Sequence, residues 1–339
     1  VAILPVYCAD GRCTVQRPLP EPCSLEDLLT VIVTSSPVRS NPSTRMLQEC
    51  LASLDLYGGL SVCQKRIMCD GFKVRDRSQL KLGVATDAEA REYQTFVARC
   101  ARLCRADPSF RRTRVVRLAR RQGSAFAIRE GLAGHVMTPY VLIVPHDCIL
   151  AQPVPLADVV AAMRASNNRI EYIKLVGQST KSYAEAVRCQ YGVRLERCQS
   201  SGVPLTPMLR YMDNVAIVSV AMLRKKVFAP DSLVRRGTFI EDTFGKQQQM
   251  KAWLGSAEFS RRQPPENGCF LLDDGSDKPM MRHLDGKSYL DPEQRAELGL
   301  PAYPTDWTKR LRAGAVASRH GGASGDGGAS GDGGASGDG

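Results

Sequence analysis

Leu28-Leu29-Thr30-Val31-Ile32-Val33 runs directly into Thr34-Ser35-Ser36-Pro37-Val38-Arg39-Ser40-Asn41-Pro42-Ser43-Thr44, and these two stretches decide the fold. The first is apolar, β-branched and lacks alternation, the pattern of a strand buried on both faces. The second is turn chemistry, with two prolines, Asn41 and several hydroxyls, and it places Ser43 or Thr44 to cap a following helix. That helix carries Met46, Cys50, Leu51 and Leu54 on one face. Lys65 to Cys69 then predicts a second strand, ending at Asp70-Gly71. Strand, loop, helix and strand in this order make a parallel pair, since a crossover of this length returns the chain in its starting direction.

The same alternation continues outward. A helix is predicted over 87–105 with Tyr93, Phe96, Val97, Cys100 and Cys104 on one stripe, then a strand at 114–118, a helix at 123–132 and a strand at 140–144. Beyond Cys148 the pattern loosens into a helix at 154–164, strands at 171–176 and 214–219, and a helix at 243–253. The expected fold is α/β: a single domain with a mostly parallel central sheet flanked by helices and irregular N- and C-terminal extensions. The expected divisions are a Pro- and Cys-containing lead-in at 1–27, halves at 28–150 and 151–255, a C-terminal segment at 256–320 and a tail at 321–339. The tail repeats Gly-Gly-Ala-Ser-Gly-Asp and has no apolar side chain larger than Ala, so it is expected to be disordered.

Composition narrows the function classes. The 339 residues are 43% hydrophobic and 24% charged, which is ordinary globular usage and excludes a wholly disordered chain. Forty-six Lys and Arg against 35 Asp and Glu leave a net charge of +11. No stretch approaches the roughly 18–20 apolar residues of a membrane span. The chain begins at Val1, so the lack of a leader says nothing about compartment. Among 12 cysteines there is no Cys-x-x-Cys pair and no Cys/His spacing of a zinc site; Cys69 and Cys148 read as buried small hydrophobes. The compartment stays open. Cys8, Cys13 and Cys23 favour a Golgi or ER lumen, or a membrane-associated position, over the cytoplasm. Arg99 to Arg121 contains nine arginines and one acid, Asp107; without interleaved aromatics this reads as a solvated face or a contact for an acidic acceptor or headgroup, and no specific nucleic-acid partner is expected.

Open parallel sheets bind ligands beyond the carboxyl ends of their strands. Three such ends carry polar groups: Ser35-Ser36, Asp70 and His146-Asp147. One Asp at a strand end is an ordinary turn former, but two at the ends of neighbouring strands point to a site. The segments VIVTSSP (31–37), IMCDG (67–71), GSAFAIREGL (123–132), YVLIVPHDCIL (140–150) and FIEDTFGKQQQ (239–249) appear in that order.

In that order the chain resembles the glycosyltransferase A fold, and family-2-like glycosyltransferases in particular, over roughly residues 28–255. The resemblance implies metal-dependent transfer of a sugar from a nucleotide-sugar donor to the hydroxyl of a glycan, lipid or protein acceptor, with inversion. It implies that 28–150 binds the donor and 151–255 the acceptor. Ser35, Ser36, Asp70, Arg129 and Asp147 would meet the donor. Asp147 would hold Mn²⁺ or Mg²⁺, with His146 and His283 as further candidate ligands. Asp242 would be the catalytic base and Glu241 its orienting neighbour. The chemistry demands such groups: a diphosphate leaving group gains negative charge that a cation offsets, and the acceptor hydroxyl must lose a proton to a nearby carboxylate.

One departure keeps alternatives open. Pro145-His146-Asp147 stands where the family has Asp-x-Asp, so a non-catalytic relative that binds only a nucleotide or a partner is the main rival. A nucleotidyltransferase is less favoured, because the loop after the first strand has no Gly. A His-Asp metal phosphohydrolase needs a helical setting and further His ligands, and the pair here ends a strand-like run.

Overall fold

The computed structural model describes residues 24–254, 267–276, 278–284, 290 and 292–299. The strands, in chain order, are β1 (Leu29–Ser35), β2 (Gln64–Cys69), β3 (Lys73–Val74), β4 (Val84–Ala85), β5 (Thr113–Arg117), β6 (Tyr140–Pro145), β7 (Cys148–Leu150), β8 (Tyr172–Leu175), β9 (Cys198–Ser200), β10 (Val203–Pro207), β11 (Ala216–Ser219), β12 (Cys269–Leu272) and β13 (Met281–His283). The α-helices are α1 (Leu25–Leu28), α2 (Arg45–Gly58), α3 (Asp87–Ala106), α4 (Ser124–Gly134), α5 (Leu156–Ala165), α6 (Tyr183–Tyr191), α7 (Val220–Met222), α8 (Lys246–Leu254) and α9 (Pro292–Glu297). Helix α9 belongs to a separate unit that starts at Leu290. Residues 1–23 of the lead-in and the repeat tail lie outside the described residues. No described helix is long and apolar enough to cross a membrane.

Val31, Ile32 and Val33 have no solvent exposure because β1 is flanked on both sides and covered on both faces. Its side chains alternate, as a strand requires. Val31 and Val33 join one core layer with Leu47, Leu51 and Leu54 of α2, Tyr93 and Phe96 of α3, and Val159 and Met163 of α5. Ile32 joins the opposite layer with Met68, Ile128 and Leu132 of α4, and Leu223 and Ile240. The sheet order is β5-β2-β1-β6-β11-β8-β12-β10-β9. The first four strands are parallel. Strand β11 runs antiparallel to both β6 and β8, β12 is parallel to β8, and β10 is antiparallel to β12 and β9. The expected parallel character therefore belongs to the first half, while the second half is mixed. Between β9 and β10 only Ser201-Gly202 intervenes, and so short a link permits only an antiparallel return.

The predicted strands and helices of the first half sit within a few residues of their expected bounds. Neither candidate cap of α2 acts through its side chain as a standard N-cap: Thr44 occupies that position with helical dihedrals and no capping bond. Helix α3 is capped instead as a sequence rule would have it, by Thr86 and Glu89 in a reciprocal box. The arginine run covers the outer edge of the sheet. Arg99, Arg102 and Arg105 are exposed on α3, and Arg114 and Arg117 on β5, the edge strand. Charged side chains there deter edge-to-edge pairing, which supports the solvated-face reading.

At the end of β2 the Asp70 carboxylate accepts three backbone N–H groups: Gly71 at 2.9 Å, Gln122 at 2.7 Å and Gly123 at 2.8 Å. The loop entering α4 is thereby tied to the sheet. Gly123 sits at φ 76°, and a Cβ there would lie 2.6 Å from the Cα of Gly237. Gly59 has φ 64° but nothing within 4 Å. Gly123→Ala is therefore expected to cost roughly 1–3 kcal/mol from backbone strain alone, and more from the contact, whereas Gly59→Ala should cost only about 1–2 kcal/mol. Urea unfolding of both variants checks this, and equal losses would show that the Gly237 contact relaxes freely.

Candidate functional site

The parallel register sets the site. Ser35 stands opposite Cys69 and Thr34 opposite Pro145. The ladder continues past the strand ends, with Asp70 N–H donating to Ser35 O at 2.8 Å and His146 N–H to Thr34 O at 2.9 Å. Ser35, Asp70 and His146-Asp147 thus meet at one sheet edge. Asp70 is 7% exposed. Burial raises its carboxyl above the usual range, and the backbone amides of Gln122, Gly123 and Gly71, then Arg121, pull it back. Four buried polar atoms in the converging segments have no hydrogen-bond partner: Ser35 Oγ, Asn41 Nδ2, Gln122 Oε1 and His146 Nε2. Each such atom costs about 1–3 kcal/mol, so a group of them marks where a ligand or water belongs. Ser36, beside them, is half-buried.

Asp147 and His283 come together as the sequence suggested. Strand β13 pairs with β7 so that His283 stands opposite Cys148. His283 Nε2 lies 3.1 Å from Asp147 Oδ2, with the two side chains 50% and 16% exposed. Cys148 Sγ is 3.9 Å from Asp147 Oδ1. Donor atoms of Asp147, Cys148 and His283 all lie within 4.8 Å of one another. His146 does not join them. It is 5% exposed, and its Nδ1 contacts Thr34 O at 3.1 Å. A carbonyl only accepts, so Nδ1 carries the proton shared with Thr34, and Nε2 is buried without a partner. Arg129, half-exposed on α4, lies over the Phe126 ring at 3.8 Å and pairs with Glu130 at 3.3 Å.

Glu241 and Asp242 do not begin an α-helix directly. They open a π turn, Glu241–Gly245, that leads into α8. Glu241 is clasped to Asp213: its N–H donates to Asp213 Oδ2 at 3.0 Å, and the Asp213 N–H donates to its Oε2 at 3.0 Å. Arg210 adds a 3.2 Å contact to Oε1. Asp242 is 56% exposed and meets Lys246 at 3.0 Å. Behind the clasp the buried Lys174 Nζ donates to Asp213 O at 2.8 Å. Burial pushes the Asp213 carboxyl up to about 7 and the Lys174 ammonium down to about 8. Sequence reasoning missed Asp213, Lys174, Arg210 and Cys148 as parts of the site. Asp213-Asn214 gave one signal, since a polar pair directly before an apolar strand is a turn where Asn tolerates positive φ, and Asn214 has φ 123°.

No protein-family model matches the chain, and no curated protein matches it. Solved structures do. S. aureus TarS, residues 1–349 in complex with UDP-GlcNAc, has a TM-score of 0.40 at 16% identity over 80% of this chain and 64% of its own. The mannosyltransferase PcManGT from Pyrobaculum calidifontis, in complex with GDP-Man and Mn²⁺, has a TM-score of 0.36 at 13% identity, covering 72% of this chain and 56% of its own. GalNAc-T7 with UDP, GalNAc and Mn²⁺ has a TM-score of 0.43 at 8% identity, covering 78% and 45%. The chain thus spans about half to two thirds of the length of these structures.

The raised Asp213 carboxyl has a signed consequence. Between its unfolded value of 3.8 and about 7, the native state holds a proton that the unfolded state has lost. Stability therefore falls as pH rises through this window and levels off above it. Asp213→Asn keeps an oxygen for the Glu241 N–H but cannot titrate. The unfolding free energy of the parent relative to the variant is expected to decline over that window in denaturant titrations at stepped pH. A difference that rises or stays flat refutes the assignment.

Proposed function

We propose that this protein transfers a sugar from a nucleotide-sugar donor to an acceptor hydroxyl, with the help of a divalent cation and with inversion. The observation that carries the reading is the meeting of Asp147 and His283 at the end of β6, 3.1 Å apart, beside the unpartnered Ser35, Gln122 and His146 atoms. A cation and a polar ligand suit such an edge. Residues 28–150 would bind the donor and 151–255 the acceptor. Asp147 and His283 would hold Mn²⁺ or Mg²⁺; the carboxylate suits both ions, and the imidazole suits Mn²⁺ better. Bound there, the cation supplies Lewis-acid stabilisation of the diphosphate.

The chain's own groups do the rest. The end of β1 and the Asp70-tied loop cradle the nucleotide, and Arg129 adds positive potential. Glu241, locked to Asp213, fixes the turn that presents Asp242. The half-exposed Asp242, 3.0 Å from Lys246, is open to an acceptor. The second reading, a protein that binds the donor without turning it over, is favoured by Pro145 in the place of an acid.

The experiment is a nucleotide-sugar screen with and without Mn²⁺. A donor at 100 times its Kd should stabilise the fold by about 2.7 kcal/mol. Asp147→Asn is expected to abolish the cation-dependent part of that gain. Asp242→Asn should keep donor binding and lose about 10²–10⁴ in transfer rate. Transfer by Asp242→Asn near the parent rate would assign the base elsewhere, and donor binding with no turnover by the parent would favour the second reading.

A further inference from the structure

The cluster at the β7–β13 pair contains more than a carboxylate and an imidazole. Cys148 and His283 are direct cross-strand partners, which puts their side chains on one face of this small sheet. Asp147 precedes Cys148 in a turn and brings its two oxygens to the two partners, Oδ2 to His283 at 3.1 Å and Oδ1 to Cys148 Sγ at 3.9 Å. Bonds of about 2.0–2.3 Å in a tetrahedral site separate the ligand atoms by roughly 3.3–3.8 Å. The observed spacings, all within 4.8 Å, need only a small contraction to match. Such a cluster is open on one side, where His283 is half exposed, and closed on the other, where Cys148 is fully buried. A cation held by these groups would keep a position toward solvent, open to water or an anionic oxygen.

We propose that Cys148 is the third protein ligand of this site, and that its sulfur turns a site that Asp147 and His283 alone would offer to Mn²⁺ or Mg²⁺ into one for a thiophilic divalent cation of the Zn²⁺ or Co²⁺ type. The inference rests on the reading of Asp147 and His283 as cation ligands, but not on sugar transfer. Thiolates select Zn²⁺ and Co²⁺, whereas Mg²⁺ and Mn²⁺ prefer oxygen. The Cys148 thiol now donates to Asn214 Oδ1 at 3.1 Å. Binding as the thiolate sends that proton to solvent and gives up this contact, which couples the cation to the turn that also carries Asp213. The adjoining His146 stays outside the shell, held by Thr34.

Zn²⁺ and Co²⁺ outbind Mn²⁺ at almost any nitrogen and oxygen site, so affinity order alone is no test, and the sulfur itself must be seen. Co²⁺ is titrated into the full chain while absorbance is followed for the sulfur-to-cobalt charge-transfer band in the near ultraviolet, with calorimetry in parallel. The parent is expected to show the band at one equivalent, Zn²⁺ to displace it, and Cys148→Ala to lose it with its circular dichroism unchanged. His283→Ala alters a half-exposed residue and serves where Cys148→Ala fails to fold; it should weaken Co²⁺ binding by more than the roughly 10–100-fold that loss of an outer-shell partner costs. Co²⁺ binding without the band, or a band that survives Cys148→Ala, overturns the thiolate ligand and leaves Asp147 and His283 standing; undiminished Co²⁺ binding by His283→Ala overturns His283 as a ligand. No binding of Co²⁺, Zn²⁺ or Mn²⁺ overturns both. Donor binding, measured separately by thermal shift, tells a failure of the sugar-transfer reading apart from either.

Discussion

A carboxylate at 7% exposure is sustainable only if donors replace the water it has lost, and the organisation of the site edge depends on how Asp70 meets that condition. Its three donors are backbone amides from two places, the residue after it and the loop before α4. The carboxylate therefore acts as a rivet. It holds the Arg120–Gly123 loop against the end of β2, and Gly71 and Gly123 are the points where backbone passes too close for a side chain. Through Gly237, whose N–H donates to Gln122 O at 2.7 Å, the same loop also meets the segment leading to Glu241. A residue read from the sequence as a ligand contact is thus first a structural joint. Any donor contact it makes uses lone pairs left over from the amides.

What the sequence made legible follows from burial. Strand β1 is enclosed on both faces, so its residues carry no alternation, and six apolar β-branched or Leu/Thr positions in a row announced it. Helices α2 and α3 each bury one stripe, and their 3.6-residue period was equally plain. In the second half α5, β8 and β11 fall close to their expected spans, and the remaining strands offered no such signal. Strands β7, β9 and β13 have three residues each, too short for a period, and β10 carries two prolines that demote it as a strand. Their pairing is set by neighbours rather than by propensity. The order and directions of pairing in the mixed half were illegible for the same reason.

The site was legible where chemistry and strand ends coincide, and opaque where the fold alone makes the neighbourhood. Asp147 followed from the end of β6, whereas His283 was a candidate only through what the resemblance implied. Cys148 read as a small hydrophobe, which its full burial fits, yet its cross-strand partner gives it a second meaning. Asp213 and Lys174 were invisible because their importance is desolvation, a property of the packed state. Neither residue type in isolation hints at a carboxyl pushed up to about 7 or an ammonium brought down to about 8.

The two halves of the sheet divide labour at β6. On one side every neighbour is parallel, so strand ends stack at a single edge and polar termini collect there. On the other side β11 is antiparallel, so the chain arrives at that same edge at its amino end, just after Asp213 and Asn214. The reversal is what lets a turn from the second half face the ends of the first. With β11 parallel to β6, Asp213 would open the opposite edge of the sheet, and its clasp on Glu241 would lie a full strand length from Asp147. The antiparallel strand that breaks the expected pattern is therefore the element that assembles the site.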